Sequence, residues 1–228
     1  IGCPKATAIN IDNQYLHANR IGSGISKRIF IASQAPHHIT FPLFWQTAFN
    51  IGNIVDLTRQ EEENQFEDDT KIYYPEIINQ SQQHGPMQVT LLNSEVINDF
   101  QIFHYLLTNT LTKSSKNISR LHYSHWKDLS AIPITTLQQL VDTLESTPKD
   151  EGICVHCMAG VGRTGTLITA CILKEQILTK KIDKTNLDDS LIELIIALRV
   201  QRGKYFVEKE SQLALLRNYA LLLLNNDF

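Results

Sequence analysis

The stretch that most constrains this chain is residues 152–178. There an apolar pentapeptide, GICVH, passes through a glycine-rich turn into an apolar helical pattern over residues 163–178. The pentapeptide shows no polar alternation, as expected of a strand buried on both faces. A buried strand feeding a helix calls for helices layered on a sheet.

The rest of the chain agrees with that architecture. Residues 28–33 (RIFIAS) alternate like a strand, and residues 53–57 form a short buried one. Residues 87–109 are rich in β-formers and hold two strands, and residues 118–126 continue the pattern. Residues 40–49 put Phe41, Phe44, Trp45 and Ala48 on one helical face, with Pro42 tolerated in the first turn. Residues 133–146 form an amphipathic helix with Leu137, Leu140, Val141 and Leu144 inward. Residues 184–199 form another, opened by a capping box of Thr185 and Asp188, and residues 209–224 form the last. Strands dominate the first half and helices the second. The expected fold is α/β, of an α+β-like kind: a central twisted mixed sheet flanked by helices.

The nearest approach to a linker is NQSQQHG at residues 79–85, which is too short to separate one domain from another. Residues 1–228 therefore read as a single domain. The chain opens at Ile1 rather than Met, which marks it as a fragment of a longer protein. With 43% hydrophobic and 20% charged residues, it is neither disordered nor fibrous. No apolar run can span a bilayer. The net charge of -3 gives no global attraction to nucleic acid or to an anionic membrane, so any anion site must be local. The four cysteines, Cys3, Cys154, Cys157 and Cys171, show no disulfide framework and suit a reducing, cytoplasmic compartment.

A local anion site is what the segment HCMAGVGRTG offers. Cys157 follows the buried strand, and Arg163 lies six residues on, at the start of a helix. The glycines between them let the backbone curl with its N–H groups inward. A helix N-terminus adds partial positive charge. Residues Met158, Ala159, Gly160, Val161 and Gly162, with the planar fork of Arg163, would cradle a tetrahedral dianion. The same field favours a thiolate at Cys157. A phosphate site with a nucleophile at its floor implies covalent phosphoryl transfer to sulfur.

Three plainer readings compete. A cysteine on a buried strand is usually a small hydrophobe. Cys154 and Cys157 form a C-x-x-C, but no second pair or histidine set completes a zinc site, and residues three apart on a strand face opposite sides. Chance would produce H-C-x-x-G-x-x-R-[ST] at about one start position in ten million. No metal and no cofactor is called for.

The segment resembles the signature loop of the protein tyrosine phosphatases, H-C-x(5)-R-[ST]. It is most similar to the classical, phosphotyrosine-specific branch, because positions 158 and 161 are Met158 and Val161 rather than the lysines of inositol-lipid phosphatases. The resemblance runs from about residue 13 to 213. Residues 15–21 (YLHANRI) resemble the family's Y-I-N-A segment, and IFIASQAP with the following FPLFW resembles its Y-I-A-T-Q-G-P…F-W stretch. IVDLTR and Tyr73-Tyr74-Pro75 resemble its central strand and Y-W-P, and Trp126-Lys127-Asp128 its mobile W-P-D acid loop. The late segment LRVQRGKYFVEKESQL, residues 198–213, is worded most like bacterial secreted effector phosphatases.

The resemblance implies the Cys-x5-Arg phosphatase fold and hydrolysis of phosphotyrosine in proteins or peptides through a phosphocysteine intermediate, by a monomer. It implies no nucleic-acid partner, and a host cytoplasm as the place of action if the chain is a bacterial effector. Cys157 is then the nucleophile, Arg163 the phosphate ligand and Asp128 the general acid. Gln212 and Glu208 fall at the two water-positioning glutamine positions. Glu62, by its offset from Arg59, pairs with Arg163, and Trp126 is a supporting residue of the acid loop. His156 is a buried hydrogen-bonding residue that tunes the thiolate, Thr164 donates a hydrogen bond to the sulfur, and Arg199 and Arg202 brace the loop. Two residues depart from the pattern: Lys127 replaces proline and Glu208 replaces glutamine. The branch's upstream tyrosine-bearing recognition loop has no counterpart in residues 1–14, which contain no Tyr or Phe. The alternatives are a phosphotyrosine-binding module without turnover, for which Lys127 and Glu208 speak, and a dual-specificity phosphatase.

Overall fold

A computed structural model describes residues 2–59, 62, 72–148 and 151–225. Nine strands make one sheet: β1 (Ala8–Ile11), β2 (Gln14–Ile21), β3 (Phe30–Gln34), β4 (Gly52–Asp56), β5 (Ser81–His84), β6 (Met87–Ile97), β7 (Phe100–Asn109), β8 (Ser114–His122) and β9 (Gly152–Cys157). Their spatial order is β1-β2-β3-β9-β4-β8-β7-β6-β5. The four central strands, β3, β9, β4 and β8, run parallel, and the pairs outside them are antiparallel. The sheet is therefore mixed, as the pattern of the chain implies.

Among the described residues, five α-helices cover it: α1 (Phe41–Ile51), α2 (Ile134–Glu145), α3 (Gly162–Leu178), α4 (Leu187–Arg202) and α5 (Glu210–Asn225). Alternation along the central strands divides the core in two. Phe30, Ala32, Val55, Ile153, Val155 and Cys157 pack with the inner faces of α2 to α5. Ile31, Ile54 and Cys154 pack on the other side, with Phe41, Phe44, Trp45 and Ala48 of α1 and with Met87, Val89 and Tyr105 of the long β6–β7 hairpin. Among the described residues, no helix is long and apolar enough to cross a membrane.

Several local expectations need correction. The linker-like segment 79–85 contains β5, an edge strand paired in register with β6. Its sequence, SQQH, has no apolar face because both faces are partly open to solvent. Strands β1 and β2 were not foreseen, and β8 stops at His122 rather than running to residue 126. The Thr185–Asp188 capping box does not form. Asn186 stands at the N-cap of α4 without a side-chain cap bond, and Asp183 Oδ1 instead takes the Thr185 hydroxyl and backbone N–H in an Asx turn.

Parallel strands end together, and that sets the position of the site. The carboxyl ends of β3, β9, β4 and β8 open onto segments 35–40, 158–161, 57–59 and 123–130. A crevice at the carboxyl ends of parallel strands is where such sheets bind ligands.

Candidate active site

β9 delivers Cys157 to the crevice floor, where it is 2% exposed. The next four residues turn their carbonyls outward. Met158 O accepts from Ala35 N, Ala159 O and Gly160 O accept from the Arg202 guanidinium, and Val161 O accepts from Gly165 N and Val207 N. The rigid peptide plane sets C=O and N–H on opposite sides. With the carbonyls tied to the surrounding protein, the N–H groups face the opposite way, into the loop. Among the described residues, none of the backbone N–H groups of 158–162 is bonded to a protein acceptor. The result is a ring of donors above a sulfur.

Gly160 makes the curl possible. Its φ is +68°, and a Cβ there would lie 2.0 Å from Ser33 O. The helix α3 then begins at Gly162, adding its positive end to the ring.

Arg163 is buried in the first turn of α3. Its Nη1 and Nη2 donate to the two oxygens of Glu62 at 2.8 and 3.0 Å. Nη1 also donates to Leu57 O at 2.9 Å and Trp126 O at 3.0 Å. Burial opposes its charge, but the anionic groups around it, Glu62 first and then Cys157 and Asp128, together outweigh burial and hold the guanidinium protonated above its ordinary range. Nε is buried and has no protein partner. The Glu62 pairing expected from its offset is thus present. The remainder of the acidic stretch, Glu61 and Glu63 to Asp69, lies outside the described residues.

Asp128 Oδ1 lies 3.2 Å from Arg163 Nη2, so the expected acid stands beside the donor ring. The loop is folded inward over α3. Trp126 is fully buried, and its indole Nε1 donates to Ser130 O at 3.0 Å. Ser130 Oγ closes the turn onto Lys127 O at 2.6 Å, and Leu129 takes a φ of +58°. Ser130 was not singled out from the sequence, because its role is played by a backbone carbonyl.

Gln212, on α5, is buried beside Gly162. Its Oε1 accepts from the N–H groups of Glu208 and Lys209 at 3.0 and 3.2 Å, and its Nε2 donates to Ser130 O at 3.2 Å. It therefore ties the acid loop to the turn before α5. The Glu208 carboxylate faces the site: its Oε2 would lie 3.5 Å from a Cβ on Gly162, and Lys209 Nζ sits 3.7 Å from Oε1. Arg199 holds the same turn through Phe206 O and Val207 O, both at 2.9 Å.

His156 is buried with Nε2 2.9 Å from Tyr73 Oη. Burial pushes it down to about 4, so the ring is neutral at ordinary pH. Thr164 corrects an expectation. Its Oγ1 is buried without a hydrogen-bond partner, so it does not donate to the Cys157 sulfur. A helical threonine has two open rotamers, and the one adopted here does not reach the sulfur. Cys154 packs on the opposite side of β9 from Cys157, and burial pushes its thiol up to about 12. That separation removes the dithiol reading of C-x-x-C.

Comparison with known proteins bears on this geometry. A family model described as protein-tyrosine phosphatase matches residues 3–222. Receptor-type tyrosine-protein phosphatase eta of Gallus gallus is 34% identical over 72% of the chain, and the match covers 12% of that protein. Tyrosine-protein phosphatase 3 of Dictyostelium discoideum is 32% identical over 84% of the chain and 20% of that protein. The chain thus spans a fifth or less of the length of these two relatives. Among solved structures, the Trypanosoma cruzi protein tyrosine phosphatase TcPTP1 superposes with a TM-score of 0.84, covering 100% of this chain and 82% of that one. At 22% identity, that likeness speaks for the fold alone. These relatives are eukaryotic and lend no support to the likeness of residues 198–213 to bacterial effectors.

Proposed function

The chain belongs to the protein-tyrosine phosphatase family, and from that premise we propose that it hydrolyses phosphotyrosine in proteins through a phosphocysteine intermediate. The observation that carries the reading is the ring of free N–H groups above Cys157, closed by the Arg163–Glu62 fork.

In the first step the Cys157 thiolate attacks phosphorus in line with the tyrosyl oxygen. The P–S bond forms as the P–O bond breaks, and the donor ring and Arg163 take up the charge on the equatorial oxygens. The leaving phenoxide has a proton affinity near pKa 10, so a proton from Asp128 lowers the barrier to its departure. In the second step Asp128 takes a proton from water as that water attacks phosphorus. The P–S bond breaks, and inorganic phosphate and the thiolate are released. Gln212 and Glu208 flank the approach of that water. Glu62 positions Arg163, and Trp126 anchors the acid loop. The neutral, buried His156 supports the strand end that carries the sulfur. Thr164 has no hydrogen-bonding role in this mechanism. The expected partners are phosphotyrosine proteins, met by a monomer in a reducing compartment, in keeping with the free thiols. The wording of residues 198–213 alone supports a secreted bacterial setting.

The test is turnover of p-nitrophenyl phosphate and of a phosphotyrosine peptide, with phosphoserine peptides and phosphoinositides as controls. Cys157→Ser should abolish turnover, because the loop field does not ionise a serine hydroxyl. Retention of activity within tenfold of the native chain would exclude the covalent mechanism. Native protein without turnover but with phosphopeptide affinity would make the chain a binding module.

A further inference from the structure

Behind the strand end that carries Cys157 lies a charged network that phosphoryl transfer does not use. Asp56 ends β4 and Arg120 lies in the adjacent β8, and both are completely buried. Arg120 donates to Asp56 Oδ2 from Nη2 at 2.6 Å and from Nε at 3.1 Å. Asp56 Oδ1 accepts from the Thr58 N–H at 2.9 Å and from the Thr58 hydroxyl at 2.5 Å. The Arg120 guanidinium carbon lies 3.6 Å from the centre of the Tyr74 ring, which covers one of its faces. A buried charge pair of this kind is costly to desolvate and gives little net stability. Its presence in the core calls for another explanation.

Tyr73 connects the pair to the site. Its Oη accepts from Arg120 Nε at 3.0 Å, lies 3.2 Å from Asp56 Oδ2 and 2.9 Å from His156 Nε2. The protons on this line can be placed. His156 Nδ1 is buried without a partner. A buried orphan N–H is rarer than a buried orphan acceptor, so the imidazole proton sits on Nε2. Tyr73 Oη then accepts from His156 and from Arg120, and its own proton goes to Asp56. The line from His156 through Tyr73 thus ends on one carboxylate, while Arg120 Nη1 is buried without a hydrogen-bond partner. The backbone runs the same way: Asp56 and His156 are register partners in the parallel β4–β9 pair, and Leu57 N donates to His156 O at 2.9 Å.

We propose that Asp56, charge-balanced by Arg120, is a positioning residue for Cys157: through Tyr73 it fixes the tautomer and orientation of His156, and with it the strand end that presents the sulfur. The inference rests on the phosphatase reading for its purpose but not for its geometry. The charged or titratable groups facing His156 are Asp56, Arg120, His122, Arg163 and Tyr73, and those facing Cys157 or the loop above it are Arg163, Arg202, Asp128 and Glu208. Removing Asp56 and Arg120 together takes away one negative and one positive charge. The net field at the sulfur then changes little, and an altered pH profile reports lost positioning.

Single substitutions would strand a buried charge and unfold some of the population, so the informative variant is Asp56→Leu with Arg120→Met. Without the carboxylate, the Tyr73 hydroxyl is free to donate to His156 Nε2, and the ring should switch to the Nδ1–H tautomer. Two readouts follow that do not depend on turnover. Nitrogen NMR of the imidazole should show Nε2–H in the native chain and Nδ1–H in the variant. Alkylation of Cys157 by iodoacetamide between pH 5 and 8, read on the Cys157 peptide by mass, should slow threefold or more on the acid side, and the acid limb of kcat/KM should move with it. The rescue variant Asp56→Asn with Arg120→Met keeps an acceptor for Tyr73 and should restore both readouts to within twofold. An Nδ1–H ring in the native chain, or a folded double variant with native tautomer and alkylation profile, would overturn the proposal. A native chain with the Nε2–H ring and the predicted alkylation change, but no turnover, would support the positioning role and count against the phosphatase reading instead.

Discussion

Asp128 and Glu208 are two carboxylates at one site with opposite expected effects. Asp128 stands beside Arg163 Nη2 at 3.2 Å, where it can meet the oxygen of a leaving tyrosine. General-acid catalysis is worth about 10²–10⁴-fold. Asp128→Asn should lower kcat for a phenolic substrate by that factor and remove the basic limb of the kcat/KM profile, since the carboxyl that gives its proton to the leaving oxygen is then gone. A basic limb that survives the substitution would assign the acid to another residue. Glu208 presents its Oε2 toward Gly162, where an ionised carboxylate opposes the phosphoryl oxygens and can only accept hydrogen bonds. Glu208→Gln should raise kcat and reduce the pre-steady-state burst when hydrolysis of the phosphocysteine limits turnover; identical bursts would deprive Glu208 of any catalytic meaning. Both residues were legible because they lie at short offsets from recognisable words, WKD and the late glutamine segment. Asp56 and Arg120 were not, since 64 positions separate them and only the β4–β8 pairing brings them together. The available signal was a charge in the middle of an apolar strand, NIVDL, which a buried strand tolerates only when the charge is paired.

At the scale of elements, the glycine-rich turn between β9 and α3 is where backbone, rather than side chains, makes the site. Its conformation depends on Gly160, whose left-handed φ and close approach to Ser33 O exclude a side chain. Gly160→Ala must either push the loop off β3 or flip a peptide, and a flipped peptide turns a carbonyl into the donor ring. The backbone strain alone costs about 1–3 kcal/mol. The variant should lose at least about a hundredfold in kcat/KM and tenfold in affinity for inorganic phosphate, with a lowered melting temperature; native phosphate affinity would show that the ring does not depend on this turn. This strand, turn and helix were readable because each has its own local pattern. β5 was not readable, because SQQH is an edge strand held by backbone pairing to β6 and has no apolar residue to mark it. β2 was hidden for a related reason. It buries Leu16, Ala18 and Ile21 but also Asn19, whose side chain bonds Pro4 O and Thr7 Oγ1, so its alternation is broken by a polar residue with structural partners. Polar residues that serve as packing do not advertise themselves in hydrophobic periodicity.

At the scale of the whole molecule, the sheet carries the buried Asp56, Arg120 and His156 on the side of α1 and the long hairpin, and most of its helices on the other. Stability then depends on pH through the His156 ring on that side. His156 is fully buried, and burial lowers it from 6.5 to about 4 despite the opposing pull of Asp56. The folded state therefore holds a neutral ring at pH values where the unfolded chain binds a proton. By linkage, the contribution is complete above pH 6.5 and is lost as pH falls from 6.5 toward 4, at about 1.4 kcal/mol per pH unit for one proton. Burial lowers His122 as well, which adds a slope of the same sign. Asp56 acts in a lower window. Burial disfavours its charge, but His156 and Arg120 beside it outweigh burial and hold the carboxyl below its ordinary 3.8. Its contribution is present above 3.8 and disappears only below that value. Urea midpoints measured from pH 7.5 to 4.5 should be level down to about 6.5 and then fall steadily, well before Asp56 is protonated. A midpoint that stays level from 6.5 to 4.5 would mean that the ring enters the folded state already charged. In that case His156 would pair directly with Asp56 as an imidazolium, and the proton order drawn through Tyr73 would have to be abandoned.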